Sequence, residues 1–404
     1  MAKILYITYD GLLEPLGQSQ IIPYLNKLSG ENNIHIISFE KPKDLIILDR
    51  ISSFRTELEK VGISWTPMRY HKIPSVLATL YDVLRGQFIA IRIAKQRKTE
   101  IIHVRSYIPA LIALIAKKLT GARLLFDIRG FWADERVDGG IWKRNGIIYR
   151  SVKLIERYLF RSADHVVTLT EASVSKIRNF GYWENKSPRI TVIPTCVDIE
   201  QFTPPQKFPP STPFTFGYVG SFGTWYMLEE TIALFSAILE IRPEARMIIV
   251  NQNEHESLRS SIAKAGIPAD RIEIIKSQYK DVASQIQRMH AASALIKPCF
   301  SKIASAPTKI AEYLSCAIPF VGNYGVGDME KILEENGTGL ILKSFDDRAL
   351  KNAALKIISL SENTSVRYRC RKIAITRFSL NSGVEAYRLI YRELMVLKGD
   401  KVFL

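Results

Sequence analysis

Apolar residues in this chain fall in short continuous runs bounded by polar or glycine-containing breaks, and most runs lead into a stretch with helical spacing. Residues 3–8, 34–38, 101–104, 123–127, 165–169 and 190–193 read as strands of the fully buried kind, because apolar side chains occupy both faces. Between them, residues 19–28, 110–119 and 142–161 read as helices, the last with a stripe at Ile148, Val152, Ile155 and Leu159. Helix 77–91 sets Leu77, Leu80, Leu84, Phe88 and Ile91 on one side with basic residues nearby. That pattern fits a core-facing helix and a helix lying on a membrane surface equally well. Strand–helix alternation at this spacing predicts a parallel, doubly wound α/β sheet.

The alternation breaks between Pro194 and Pro213, where six prolines make a stiff linker composition. It restarts with strands expected at 215–219, 246–250, 271–275, 294–297, 318–321 and 339–342, and a final helix is expected over about 379–399. Two Rossmann-like halves are therefore expected, joined near residue 205.

Charge adds a second layer. The net charge is +16, with basic patches at 85–98 (Arg85, Arg92, Lys95, Arg97, Lys98), 143–161 and 367–377. Such patches suit an anionic lipid surface, nucleic acid, or plain solvation. Nucleic acid is not an expected partner, since no recognisable binding motif is present and the patches are not interleaved with aromatics. Cys196, Cys299, Cys316 and Cys370 lack metal-ligand spacing and read as reduced thiols. Asp10 and Glu14 follow the first apolar run too closely for a cleavable signal, and the apolar run 108–116 is too short to span a bilayer. A cytoplasmic protein is expected, with peripheral contact at the inner face of a membrane.

Open α/β sheets bind ligands in the loops beyond their strand C-terminal ends, so candidate chemistry is sought there. Gly17 and Gln18 lie between the first strand and first helix, where glycine allows close backbone approach. Asp127 ends a strand and is expected to point into the ligand cleft; Arg129 offers a phosphate a bidentate partner, and His103, expected at a strand end, is a competing base. The loop Gly220-Ser221-Phe222-Gly223 opens the second half. Gln278 and Tyr279 follow the strand at 271–275. Ser305-Ala306-Pro307-Thr308 opens a short helix on which Lys309 and Glu312 share a face. A loop and helix N-terminus can hold a phosphate, with a carboxylate one turn on to accept from sugar hydroxyls. The alternative is a surface Lys–Glu pair, worth little.

Residues 299–321 resemble the donor-site signature of the family 4 retaining glycosyltransferases, of GT-B fold. The resemblance implies that Glu312 binds the ribose hydroxyls of a nucleotide sugar and that Ser305, Ala306, Pro307, Thr308 and Lys309 hold its diphosphate and sugar. Ala304 stands where many members carry a second Glu. Val192–Asp198 is similar to the family's interdomain segment, with Thr195-Cys196 in place of Asn-Gly. Gly17 and Gln18 loosely match the loop that faces the acceptor. Asp127 stands where many relatives place a His, the loop of Gln278 and Tyr279 touches the base, and the loop Gly220–Gly223 lacks the family's usual Arg and Lys.

The resemblance thus implies a GT-B enzyme. Its acceptor domain would span 1–204, its donor domain 205–378, and helix 379–404 would cross back to the first. Such an enzyme moves a sugar from a nucleotide-diphosphate sugar to an acceptor, and the basic amphipathic stretches of the first half suggest a lipid-linked or cell-envelope glycan. No cofactor beyond the sugar donor and no metal site are expected; the absence of an Asp-x-Asp argues against a metal-dependent GT-A enzyme. A nucleotide-sugar epimerase of the same architecture and a basic nucleic-acid-binding protein remain as rivals.

Overall fold

The computed structural model describes residues 1–183 and 187–399; the end of the expected helix, 400–404, lies outside the described residues. The chain divides into two compact units, residues 1–193 with the segment from Gly383 on, and residues 194–382.

The first unit holds a seven-stranded sheet in the order β3-β2-β1-β4-β5-β6-β7. Its strands are β1 Ala2–Thr8, β2 Asn32–Glu40, β3 Ile63–Arg69, β4 Ile101–Arg105, β5 Arg123–Asp127, β6 His165–Thr168 and β7 Arg189–Val192. Every neighbouring pair runs parallel, with Tyr6 beside His103 and Arg105 beside Asp127. The second unit repeats the plan with six strands in the order β10-β9-β8-β11-β12-β13. These are β8 Thr215–Val219, β9 Arg246–Val250, β10 Ile272–Ile275, β11 Ala291–Ser293, β12 Phe320–Asn323 and β13 Gly339–Leu342, again all parallel. Both sheets reverse their winding beside the first strand of the unit, which opens a crevice between the loops after β1 and β4 and between those after β8 and β11.

Several expectations shift. The strand expected at 294–297 lies at 291–293, where Ala-Ala-Ser lets β11 nestle between β8 and β12; residues 294–297 continue past the ladder with Ile296 in an isolated bridge to Tyr226. Residues 19–28 form no single helix. Helix α1, Pro15–Gln20, is followed after Ile21 by a second helix, Ile22–Ser29, with Pro23 near its start. The proline-rich segment belongs to the second unit. Phe202 is fully buried in its core, and Arg371 donates to the carbonyls of Ile199 and Phe202.

Three helices of one layer carry unusual faces: α2 Ser75–Arg97, α3 Tyr107–Thr120 and α4 Ile147–Ser162, with α3 packed against both others. The face α2 buries is made mostly of small residues, Ala78, Val83, Gly86, Ala90 and Ala94, with Ile93 and Asp82. A Cβ on Gly86 would meet Ile112 of α3 at 2.9 Å, so the helices approach closely. Most of the larger apolar residues face outward, while Ile93 is buried and Ile91 half-buried. Leu77 (65%), Leu80, Leu84 and Phe88 (67%) are exposed, which turns the expected stripe away from the core. In α4 the expected stripe also splits: Leu159 is buried with Glu156 and Phe160, whereas Ile148 and Ile155 are exposed.

Candidate functional site

In the second unit, β8 ends at Val219 and the chain turns through Gly220 at φ +111°, a conformation that L side chains rarely adopt. Asn251, just past β9, donates to the Gly220 carbonyl (3.0 Å) and to Glu254 (2.7 Å), and Glu254 accepts from the N–H of Phe222 (2.8 Å). Phe222 stacks on Tyr218 at 3.8 Å between ring centroids, and the Tyr218 hydroxyl donates to the Ser221 carbonyl. Gly220 and Ser221 line a cavity of about 430 Å³ with Asn251, Glu254 and Ser277. Gln278 is exposed, while Tyr279 is half-buried against Phe202.

Helix α5, Thr308–Ser315, enters beside this loop. Pro307 is its N-cap, and neither a capping side chain nor an acid serves its first turn. Ser305, Ala306, Pro307 and Thr308 are half-buried at that end. Tyr313 fixes the helix to the sheet: its hydroxyl accepts from the N–H of Val219 (2.8 Å) and donates to the Ser293 carbonyl (3.3 Å). Lys309 is thereby held over the Gly220 turn, with its Nζ 3.3 Å from where a Cβ on Gly220 would sit.

Lys309 and Glu312 are not a surface pair; each is only 5% exposed. The Lys309 ammonium lies 3.9 Å from the ring centre of Tyr218 and 3.7 Å from that of Tyr226, and it has no hydrogen-bond partner. Cation–π contact offsets part of the cost of burying the charge but leaves three donors unused. Burial pulls the Lys309 pKa well down, opposed by the carboxylates of Glu312 and Glu254. It also pushes the Glu312 carboxyl up to about 7, opposed by Lys309. Lys302, another buried cation of this region, stands over Trp225 at 3.8 Å.

The first unit treats its charges differently. Asp127 ends β5 as expected, but it does not open to solvent. It is 1% exposed, accepts from the Tyr387 hydroxyl (2.9 Å) and faces Arg129 (3.5 Å) and Arg105 (3.9 Å). Tyr387 belongs to α6, the final helix Leu380–Gly399, which covers the carboxylate. His103, unlike Asp127, is not at a strand end, because β4 runs two residues further to Arg105. It is buried under Tyr6 and Tyr387, its Nδ1 paired with the Tyr391 hydroxyl, and burial lowers its pKa to about 4. Gly17 lies inside α1 rather than in a loop; a Cβ there would fall 2.3 Å from the Gly11 carbonyl oxygen, so its role is close backbone packing. Gln18 donates to the Leu12 carbonyl. The same loop is braced by Glu40, whose carboxylate accepts from the N–H groups of Leu12 and Leu13.

Three residues that line the loops of this unit escaped the sequence reading: Arg105, Trp132 and Arg136. Arg105 was within reach, since it ends a strand as Asp127 does. Among the described residues no group of three or more His, Cys, Asp or Glu is placed to hold a metal.

Residues 46–196 match the family model of the glycosyl transferase 4-like domain, and residues 200–377 match that of the glycosyl transferases group 1. The chain belongs to the glycosyltransferases. No curated protein sequence matches it. Among solved structures, this glycosyltransferase is similar to the sucrose-phosphate synthase of Thermosynechococcus elongatus (13% identity, TM-score 0.73, covering 98% of this chain and 100% of that one). A glycosyltransferase of Rickettsia africae matches at 17% identity and TM-score 0.70, covering 98% of each chain. Anabaena HepE in complex with UDP-glucose matches at 14% and 0.68, covering 97% of this chain and 100% of that one. At these identities the likeness is one of fold, and the two parallel-sheet units are those of GT-B. No described helix is long and apolar enough to cross a membrane.

Proposed function

We propose that this glycosyltransferase takes its sugar from a nucleotide-diphosphate donor held by the second unit and transfers it with retention, as the resemblance of residues 299–321 implies. The observation that carries the donor reading is the buried, unpartnered ammonium of Lys309 beside the Gly220 turn and the start of α5. A diphosphate placed there meets a cation whose donors are free, a helix N-terminus with no competing acid, and backbone with no side chain in the way. The ammonium stabilises the negative charge that grows on the diphosphate as the glycosidic bond breaks. Glu312, one turn on, accepts from the ribose hydroxyls. The fold neighbour HepE, bound to UDP-glucose, agrees with a donor of this class. Asp127 keeps Arg105 and Arg129 in place rather than meeting substrate itself. A thermal-shift screen against UDP-, GDP- and dTDP-sugars tests the reading: at least one should raise Tm in the wild type and fail to do so in Lys309→Met. The same assay followed by product analysis separates transfer from epimerisation.

The acceptor side is read as a lipid-linked or envelope glycan met at an anionic membrane. What favours this is the inverted face of α2, joined by exposed Ile115 and Leu119 on α3 and Ile147, Ile148, Leu154, Ile155 and Tyr158 on α4. Exposed Arg85, Arg92, Lys95, Lys118 and Arg150 accompany them. A face that is apolar outside and basic around it suits the headgroup boundary of a bilayer, where each cation adds about 1 kcal/mol. Leu84→Ser with Phe88→Ser should release the protein from anionic vesicles at unchanged Tm, because neither side chain is part of the core. Binding retained by that variant would refute the membrane reading.

A further inference from the structure

A second cavity of about 430 Å³ lies wholly within the first unit, and none of the expected donor residues reaches it. It is built by the segments that follow four strands: Tyr9 and Asp10 after β1, Arg105 and Ser106 at the end of β4, Arg129 and Trp132 after β5, and Leu169 after β6. These flank the reversal point of the sheet, between β1 and β4, where an open α/β sheet places its ligand. Arg136, one turn beyond Trp132, completes the wall.

The charge of this wall is one-sided. Three guanidiniums face the cavity against one carboxylate, that of Asp10, which accepts from Arg105 at 3.3 Å. Asp127 lies beneath, holding Arg105 and Arg129 in position. Arg136 is exposed and lies 5.8 Å from the ring centre of Trp132. The first turn of α3 also lines the cavity through its N-cap Ser106 and through Ile108 and Pro109. It carries neither a capping side-chain bond nor an acid, so its positive end is unopposed.

Backbone strain points to the same place. Of the four non-glycine residues with positive φ among the described residues, two, Ser106 (74°) and Arg129 (57°), line this cavity. Such conformations cost energy and persist where surrounding structure holds them for a task. Here the strain at Arg129 turns its side chain back over Asp127 at the end of its own strand.

We infer that this cavity binds an anionic group, a phosphate or carboxylate, carried by the acceptor. The inference rests on the acceptor being bound by the first unit, and it narrows that acceptor to an anionic glycan. Arg129 and Arg136 are the anion's ligands, and Arg105 adds charge from below. Two sources share the chemistry: the diphosphate of a lipid-linked sugar and the carboxylate of a uronic acid.

The test is calorimetric titration of the full chain with inorganic pyrophosphate. Wild type should bind it at two sites, one Lys309-dependent and one arginine-dependent; Arg136→Gln should weaken the second about tenfold, and Arg129→Gln with Arg136→Gln should leave only the first, the scale of one charge-assisted contact per arginine. Arg136 is exposed and has no buried partner, so its variant keeps the fold. Lys309→Met serves as control: it should leave this pyrophosphate site intact while losing nucleotide-sugar binding. Pyrophosphate binding that is lost in Lys309→Met and indifferent to the arginines would assign the anion site to the second unit and overturn the inference. Failure of nucleotide-sugar binding with the arginine-dependent site intact would instead overturn the donor reading alone. Competition by a polyprenyl diphosphate sugar or by a glucuronate oligosaccharide then identifies the source; a neutral methyl glucoside should not compete, and its competing equally would also overturn the inference.

Discussion

The two units share a strand order yet treat buried charge in opposite ways. In the first, Asp127 is met by Tyr387, Arg105 and Arg129, and His103 by Tyr391. In the second, Lys309 lies in an aromatic box with its ammonium unbonded, and Glu312, the carboxylate one turn on, is itself pushed toward the neutral form. Burying an ion costs several kcal/mol unless partners compensate. A buried ammonium with none of its donors used marks a place where a ligand can supply the partner. The contrast separates charges that hold the structure together from charges that wait for a ligand.

The comparison breaks first at Asp127. Replacement by Ala leaves Arg105 and Arg129 facing each other without their shared carboxylate. Urea unfolding should show a loss of about 3–5 kcal/mol, the cost of breaking a buried pair. Donor affinity, measured where the variant is still folded, should hold. A stable Asp127→Ala enzyme with lost turnover would return Asp127 to the role the sequence first suggested, a group that meets substrate.

Glu312 sharpens the other side. Its folded pKa of about 7 stands above the reference value of 4.5, so the folded state holds a proton that the unfolded chain has released. Its contribution to stability is complete below about pH 4.5 and is lost as pH rises toward 7. Glu312→Gln removes that decline. The variant should gain on the wild type between these pH values, by up to about 3 kcal/mol at pH 8, while its donor affinity falls by about 1.5–3 kcal/mol. Parallel stability–pH curves for the two proteins would remove Glu312 from the list of destabilised groups.

The smallest expected effect is at the latch between α6 and the first sheet. Tyr387→Phe deletes one hydrogen bond to Asp127 and should cost about 1–2 kcal/mol of stability, leaving nucleotide-sugar binding unchanged. Calorimetric melting with and without donor reads both quantities at once.

Much of this was visible in the chain before its structure. Continuous apolar runs place most strands within a residue or two, because a parallel strand buries both faces and needs no partner-specific pattern. The strand at 291–293 was misplaced for the same reason in reverse: Ala-Ala-Ser carries little apolar signal, and the stronger run beside it drew the assignment. Lys309 and Glu312 were legible as a pair sharing one helix face, but their burial was not, since it depends on Tyr218 and Tyr226, distant in sequence from both. Asp127 shows the limit most plainly. Its place at a strand end was right, while its cover comes from Tyr387, 260 positions along the chain. The outward turn of Leu77, Leu80, Leu84 and Phe88 was likewise beyond a periodicity argument, which finds two faces of a helix without saying which is wet. What decides it is Gly86, where only a glycine lets α2 approach Ile112 closely enough to bury the small face.

The central claim is that the second unit keeps Lys309 unpaired for a nucleotide-diphosphate sugar, and Lys309→Met tests it in one comparison. The substitution removes an uncompensated buried charge and keeps a side chain of similar length against Tyr218 and Tyr226. Melting temperature and nucleotide-sugar affinity are measured on the same preparations. The account predicts opposite signs: a higher Tm in the absence of ligand, and donor binding weaker by on the order of 100-fold, the upper range for a charge-assisted contact. A variant that melts lower than the wild type, or that binds the donor as tightly, would contradict it.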